Sequence, residues 1–312
     1  MSVAYAPTPY VPPEDPPVPG AFVRDPYLFR EWITADGASG YPAEGGRYHL
    51  YVSWACPWAQ RVAIVRELLG LQDTIGLVVA DPIRDDRGWR FNEEFPDSAG
   101  GFEFLSQAYL ATDPGFDLRP TVPALWDSVN RRVVSNNFHD MTIMLSTQFD
   151  RFAEPTPDLY PADMRKEIDD LNEKLYLDVN NGVYRCGFAG SQEAYEEAFD
   201  RLFARLDELD ERLGGQRFLM GDKLTDPDIR LFTTLVRFDA VYYVHFKCNM
   251  RRLVDYPNLW PYTRALYQLP PFKTTTDFDH IKRHYYMTHP MLNPSRIVPR
   301  GPEIEWDAPS TR

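Results

Sequence analysis

The chain has 312 residues, 44% hydrophobic and 14% aromatic, enough for two ordinary domains and a substantial core. Thirty-three basic residues against 46 acidic ones leave a formal charge of −13, which argues against nucleic-acid binding and against a basic membrane-surface stripe. Three widely spaced cysteines (Cys56, Cys186, Cys248) exclude a secreted disulfide scaffold, and neither a signal-peptide pattern nor a bilayer-spanning run is present, so the cytoplasm is the expected location.

Residues 1–20 hold seven prolines and predict an extended arm. Phe22 to Trp32 carries apolar residues that can pack on the body, and Gly37 to Gly46 is a Gly-rich loop. Alternation of Tyr48, Leu50 and Val52 with polar neighbours predicts a strand. Ala59, Val62, Ala63, Arg66 and Leu69 have helical spacing over 57–69, with Gly70 as the stop. Ile75 to Ala80 reads as a second strand, followed by a long insertion over 81–117. Pro123–Trp126 and Val133–Ser135 predict a hairpin, and a helix should start at Asn136 or Asn137. From about residue 160 the pattern is helical. Tyr195, Phe199, Leu202, Leu206, Leu209 and Leu213 fall on one face, and Thr225-Asp226-Pro227-Asp228 has the form of a capping box. The expected division is an arm and lead-in (1–45), a small α/β domain (46–150) and an α-helical domain with a C-terminal tail (151–312).

The residue with the most chemistry is Cys56, in Ser53-Trp54-Ala55-Cys56-Pro57-Trp58-Ala59, where the first strand runs into the first helix. A cysteine there meets the unpaired N–H groups of the helix's first turn, which favour a thiolate. Such positions bring a thiol from about 8.5 to roughly 3.5–7.5. The order strand, Cys-Pro-Trp-Ala, helix, strand, then Thr121-Val122-Pro123 entering a strand is the thioredoxin-like plan. Pro123 would be cis in that plan, with the Val122 backbone beside the cysteine to pair with a bound cysteinyl peptide. Ala59 occupies the position of a second cysteine, so the intermediate must be a mixed disulfide with an external thiol.

These residues, with Gly46 to Ser53, Gly88-Trp89, Asn181-Gly182-Val183-Tyr184, Gly221 to Phe232, Arg237-Phe238-Asp239, His245 to Asn249 and His284-Tyr285-Tyr286, resemble the glutathionyl-hydroquinone reductases, the Xi class of glutathione transferases. The resemblance covers roughly residues 45–300. It implies a thioredoxin-like N-terminal domain (α/β) followed by an all-α, glutathione-transferase-type C-terminal domain, in a homodimer. It also implies reduction of glutathionyl-hydroquinones. Carried over by position, Cys56 is the nucleophile. Trp89 and Arg119 would contact the thiol cofactor, Val122 would pair its backbone next to Pro123, and Tyr184 and Tyr285 would bind the hydroquinone oxygens and help protonate the leaving aryl carbon.

The sequence departs from that family at one place. The family carries a Glu-Ser pair at the helix start after Thr-Val-Pro, for the γ-glutamyl group. Here the pair is Asn137-Phe138. An ion pair and a hydroxyl donor are therefore lost from the part of the pocket that reads glutamate. Two readings stay open. Either the thiol is mycothiol, whose amino-sugar inositol suits a neutral amide and a ring face, or Asp140 or a neighbour supplies the missing charge and glutathione binds. Competing functions are a general thioltransferase or dehydroascorbate reductase, and a non-catalytic ligand-binding module. His280, His284 and His289 cluster in sequence, but no carboxylate or cysteine completes a metal set, so none is expected. Cys186 is expected to be a packed, unreactive thiol, and His245 and Cys248 to be structural or dimer-facing.

Overall fold

A computed structural model describes residues 18–309. The chain divides into two compact units, Asp25–Thr156 and residues 18–24 with 157–309. Most of the expected 1–20 arm, residues 1–17, lies outside the described residues.

The first unit is built on a four-stranded sheet in the order β2-β1-β3-β4. Strand β1 (Tyr48–Val52) pairs parallel with β2 (Ile75–Val79) and antiparallel with β3 (Ala124–Asp127), with Leu50 opposite both Leu77 and Leu125. The hairpin closes with β4 (Arg132–Ser135) through a turn in which Arg131 has φ 51°. Helix α1 (Pro57–Leu68) makes the crossover from β1 to β2 and ends at Gly70, whose φ of 66° a side chain would resist. Helix α3 (Phe138–Gln148) packs beside α1. Residues 25–45, expected with the arm, belong to this unit. Glu31 N–H donates to Val134 O at 3.1 Å and Asn136 N–H donates to Phe29 O at 3.0 Å, so the lead-in runs along β4.

The insertion after β2 contains a helix that the sequence pattern did not reveal, α2 (Leu105–Thr112). Gln107 starts it by accepting from the Glu103 and Phe104 N–H groups at 2.8 and 2.9 Å. Eight residues flanked by Gly, Asp and Phe are too few to show a helical period.

The second unit is helical: α4 (Arg165–Leu175), α5 (Gly182–Gly187), α6 (Gln192–Gly214), α7 (Asp226–Arg237), the single turn α8 (Tyr243–His245), α9 (Leu259–Tyr267), α10 (Pro270–Thr274) and α11 (Phe278–Thr288). Two π-helical turns, Tyr176–Asn180 and Phe238–Tyr242, continue α4 and α7. Along α6 the buried stripe is Ala194, Ala198, Leu202, Leu206, Leu209 and Leu213. Tyr195 and Phe199, expected on that face, are only half-buried. Helix α5 packs against α6.

The α7 capping box forms as expected. Asp228 is fully buried and accepts from Leu219 N–H, Thr225 N–H, Thr225 Oγ1 and Tyr262 Oη at 2.8–3.2 Å. Burial still pushes its carboxyl up to about 6. Replacing Asp228 with Ala orphans four donors in the core, and we expect a loss of about 3 kcal/mol in urea denaturation. A loss within about 0.5 kcal/mol would show that the cap is dispensable.

Candidate active site

In the first unit the chemistry is set by the β1–α1 junction. Cys56 is the residue before the first helical turn, with extended backbone (φ −84°, ψ 118°), and Pro57 opens the helix. Its N–H donates to Ser53 O at 2.9 Å, and its own carbonyl accepts from Gln60 N–H at 3.0 Å. The thiol donates to Val122 O at 3.3 Å, and the Val122–Pro123 peptide is cis, as the element order implied. Tyr109 of α2 pins this segment by donating to Thr121 O at 2.7 Å. The junction is therefore held from both sides, and Cys56 is partly open to solvent.

A ring stack holds α1 against α3. Trp58 and Phe138 lie 4.2 Å apart at 27°, and the fully buried Arg61 guanidinium sits 4.8 Å from the Trp58 ring and 5.3 Å from Phe138. This corrects the expectation that Phe138 offers a ring face to a bound thiol. The residue is 3% exposed, with Trp58 on its face and Tyr27 on its edge. Asn137 has no exposed surface either. It caps α3 by accepting from His139 N–H at 3.2 Å, and its Nδ2 donates to Asp140 Oδ2 at 2.7 Å. A carboxylate therefore stands directly beside the position where the family carries glutamate.

The other residues expected to bind the thiol differ in setting. Trp89 is buried, its carbonyl accepting from Leu105 N–H at 2.9 Å. The adjacent Arg90 and Asn92 both donate to Asp81 Oδ2, at 2.7 Å from Arg90 Nη2 and 2.7 Å from Asn92 Nδ2, which fixes the loop. Val122 and Pro123 are buried, whereas Arg119 is exposed.

In the second unit, Tyr184 on α5 and Tyr285 on α11, 101 residues apart, share a hydrogen bond of 2.5 Å between hydroxyls. Tyr242, which the sequence reading did not single out, joins them with its hydroxyl 3.1 Å from that of Tyr285. Its π-helical turn places it where no simple helical spacing would. Burial, and then the crowding of phenols, pushes Tyr285 and Tyr242 well above the ordinary tyrosine range, with Arg237 opposing. These hydroxyls are held protonated at neutral pH and can donate. Phe246 packs against all three rings at 5.3–5.6 Å.

Around that cluster, His245 Nε2 lies 3.2 Å from His289 Nδ1, and burial with nearby Lys247 pulls His245 down to about 4. Among the described residues no group of three or more His, Cys, Asp or Glu is arranged to hold a metal ion. Cys186 and Cys248 are both buried, and burial raises Cys248 well above the ordinary thiol range. Iodoacetamide under native conditions should therefore add one label, at Cys56, and Cys56→Ser should take none. Intact mass and peptide mapping decide this, and labelling of Cys186 or Cys248 at a comparable rate would contradict the burial.

Comparison with known proteins agrees with this geometry. Families described as Glutathione S-transferase, N-terminal domain and Glutathione S-transferase, C-terminal domain match residues 55–148 and 192–265. The glutathionyl-hydroquinone reductase YqjG of Escherichia coli is 46% identical over 303 residues, which span 94% of this chain and 92% of that one. The glutathionyl-hydroquinone reductase PcpF of Sphingobium chlorophenolicum is 46% identical, over 91% and 90%. Among solved structures, a glutathione transferase from Gordonia bronchialis has a TM-score of 0.88 at 48% identity, over 92% of this chain and 90% of that one. Glutathione-bound YqjG has a TM-score of 0.88 at 45% identity, over 94% and 97%.

Proposed function

Since the chain belongs to the glutathionyl-hydroquinone reductases, the Xi class of glutathione transferases, we propose that it reduces thiol conjugates of hydroquinones to free hydroquinones. The observation that carries this reading is Cys56 at the start of α1, with Ala59 rather than a second cysteine one turn on. A lone helix-start thiol can take up an external thiol but cannot close an internal disulfide.

The steps follow from the groups present. The Cys56 thiolate attacks the sulfur of the aryl thioether, the sulfur–carbon bond breaks, and its electron pair leaves with the aryl carbon. That carbon takes a proton, for which Tyr184 and Tyr285 are the proposed donors, and they also bind the hydroquinone oxygens. A second thiol attacks the mixed disulfide, releasing a low-molecular-weight disulfide and restoring Cys56. Trp89, Arg119 and the Val122 backbone, next to Pro123, are the proposed contacts to the thiol. A general thioltransferase would need the Cys56 half alone, and a ligand-binding module would need neither a helix-start thiol nor a cluster of protonated phenols.

For the thiol, we take glutathione as the first reading, supported by Asp140 beside Asn137 and by the glutathione bound to YqjG. Mycothiol is the second reading. It is favoured by the neutral Asn137 where the family carries glutamate, and it no longer draws on Phe138, whose ring faces are occupied. We also propose a cytoplasmic homodimer, in keeping with a chain whose described residues include no helix long and apolar enough to cross a membrane; light scattering tests the dimer.

One synthetic hydroquinone carried as its glutathionyl or its mycothiyl conjugate, each with its matching thiol, tests the reading. We expect turnover with glutathione, a Cys56–glutathione adduct by intact mass, and loss of turnover by about a thousandfold or more in Cys56→Ser. Turnover with mycothiol alone reassigns the thiol, and turnover with neither refutes the reductase. Asp140→Asn is expected to raise the KM for glutathione about tenfold with little change in kcat, since it removes uniform binding of the ammonium group. An unchanged KM would remove Asp140 from thiol recognition.

A further inference from the structure

Residues 18–24 lie along the helical unit as a strap. Gly20 O accepts from Gly190 N–H at 2.8 Å, and Pro19 O accepts from Ser191 Oγ at 2.7 Å. Gly20 has φ 85°, and a Cβ there would sit 2.9 Å from Ser191, so only glycine permits this approach. The Phe22 ring lies 5.4 Å from that of Phe188. The strap ends at Arg24, which is half-buried. Its Nη2 and Nε both donate to Asn181 Oδ1, at 2.9 and 3.2 Å. Its guanidinium carbon is 5.0 Å from the centre of the Tyr184 ring. A cation anchored by Asn181 thus rests on the face of one of the two phenols that share the 2.5 Å hydrogen bond.

We propose that Arg24 is a positioning residue for proton delivery by the Tyr184–Tyr285 pair. It holds the Tyr184 ring and stabilises the phenolate that remains when the pair gives up a proton. The inference rests on the conjugate-reductase reading above. In that step the bond from Cys56 sulfur to the thiol's sulfur forms and the sulfur–aryl carbon bond breaks. Its electron pair goes to the carbon, which takes the phenol's proton, and solvent later reprotonates the phenolate. A positive charge beside the ring, partly shielded from water, lowers the energy of the phenolate more than that of the neutral phenol. Attack of Cys56 on an ordinary disulfide expels a thiolate and needs no proton on carbon, so Arg24 should not matter there.

The test compares wild type, Arg24→Met and Arg24→Lys by rapid quench and intact mass. Formation of the Cys56 adduct is timed from a glutathionyl-hydroquinone and, separately, from oxidised glutathione. Arg24→Met is expected to slow the first reaction about tenfold or more while leaving the second within about twofold. Arg24→Lys should recover much of the loss, because it restores the charge without the planar fork. Preserved disulfide exchange also shows that the fold is intact. Equal rates in all three proteins, or equal slowing of both reactions, overturns the inference. A wild type that exchanges with oxidised glutathione but leaves the conjugate intact overturns the reductase reading, and this inference with it.

Discussion

The thiol chemistry depends on one junction, the step from β1 into α1. Cys56 stands immediately before the first turn of α1, where helical N–H groups have no partner within the helix. Pro57 sets the backbone at that step, and the Trp58–Phe138 stack with the buried Arg61 guanidinium fixes α1 against α3. The Val122 carbonyl, held in place by Tyr109, meets the sulfur from the neighbouring segment. A shift of α1 by a fraction of a turn would undo each of these contacts.

The helical unit gathers phenols in a buried cluster. Three tyrosines from α5, the π-helical turn after α7, and α11 come together through hydroxyl contacts of 2.5 and 3.1 Å. Removing Tyr242 and Tyr285 from water holds the proton on each, because a buried phenolate is costly. Crowding of like groups reinforces this, and Arg237 and Arg24 supply the nearby positive charge.

The segment after β4 shows how two departures from the family pattern, Asn137 and Phe138, are absorbed without changing the fold. Asn137 still caps α3, as a short polar side chain should, and its amide binds Asp140. Phe138, in place of a hydroxyl residue, turns into the α1–α3 interface and adds packing there. At this helix start the chain thus presents an amide, a carboxylate one turn on, and a ring turned inward.

Local pattern in the sequence determined the strands of the first unit and its helices α1 and α3, the start of α3 by Asn137, the Thr225–Asp228 cap and the placing of Cys56 just before α1. Each of these depends on neighbours within a few residues: alternation, helical period, proline at a first turn, a cap. Tyr184 and Tyr285 were singled out only through resemblance, and their mutual hydrogen bond, across 101 residues, came from the tertiary structure. Tertiary structure alone decided the rest. Helix α2 was too short to show a period. Along α6 the tertiary structure buried Ala194 and Ala198 and left Tyr195 and Phe199 half-buried. Phe138 turned inward because Trp58 offered a ring face. Tyr242 and Arg24 reached the phenols through a π-helical turn and a strap, and neither leaves a periodic trace, because both depend on where distant segments pack.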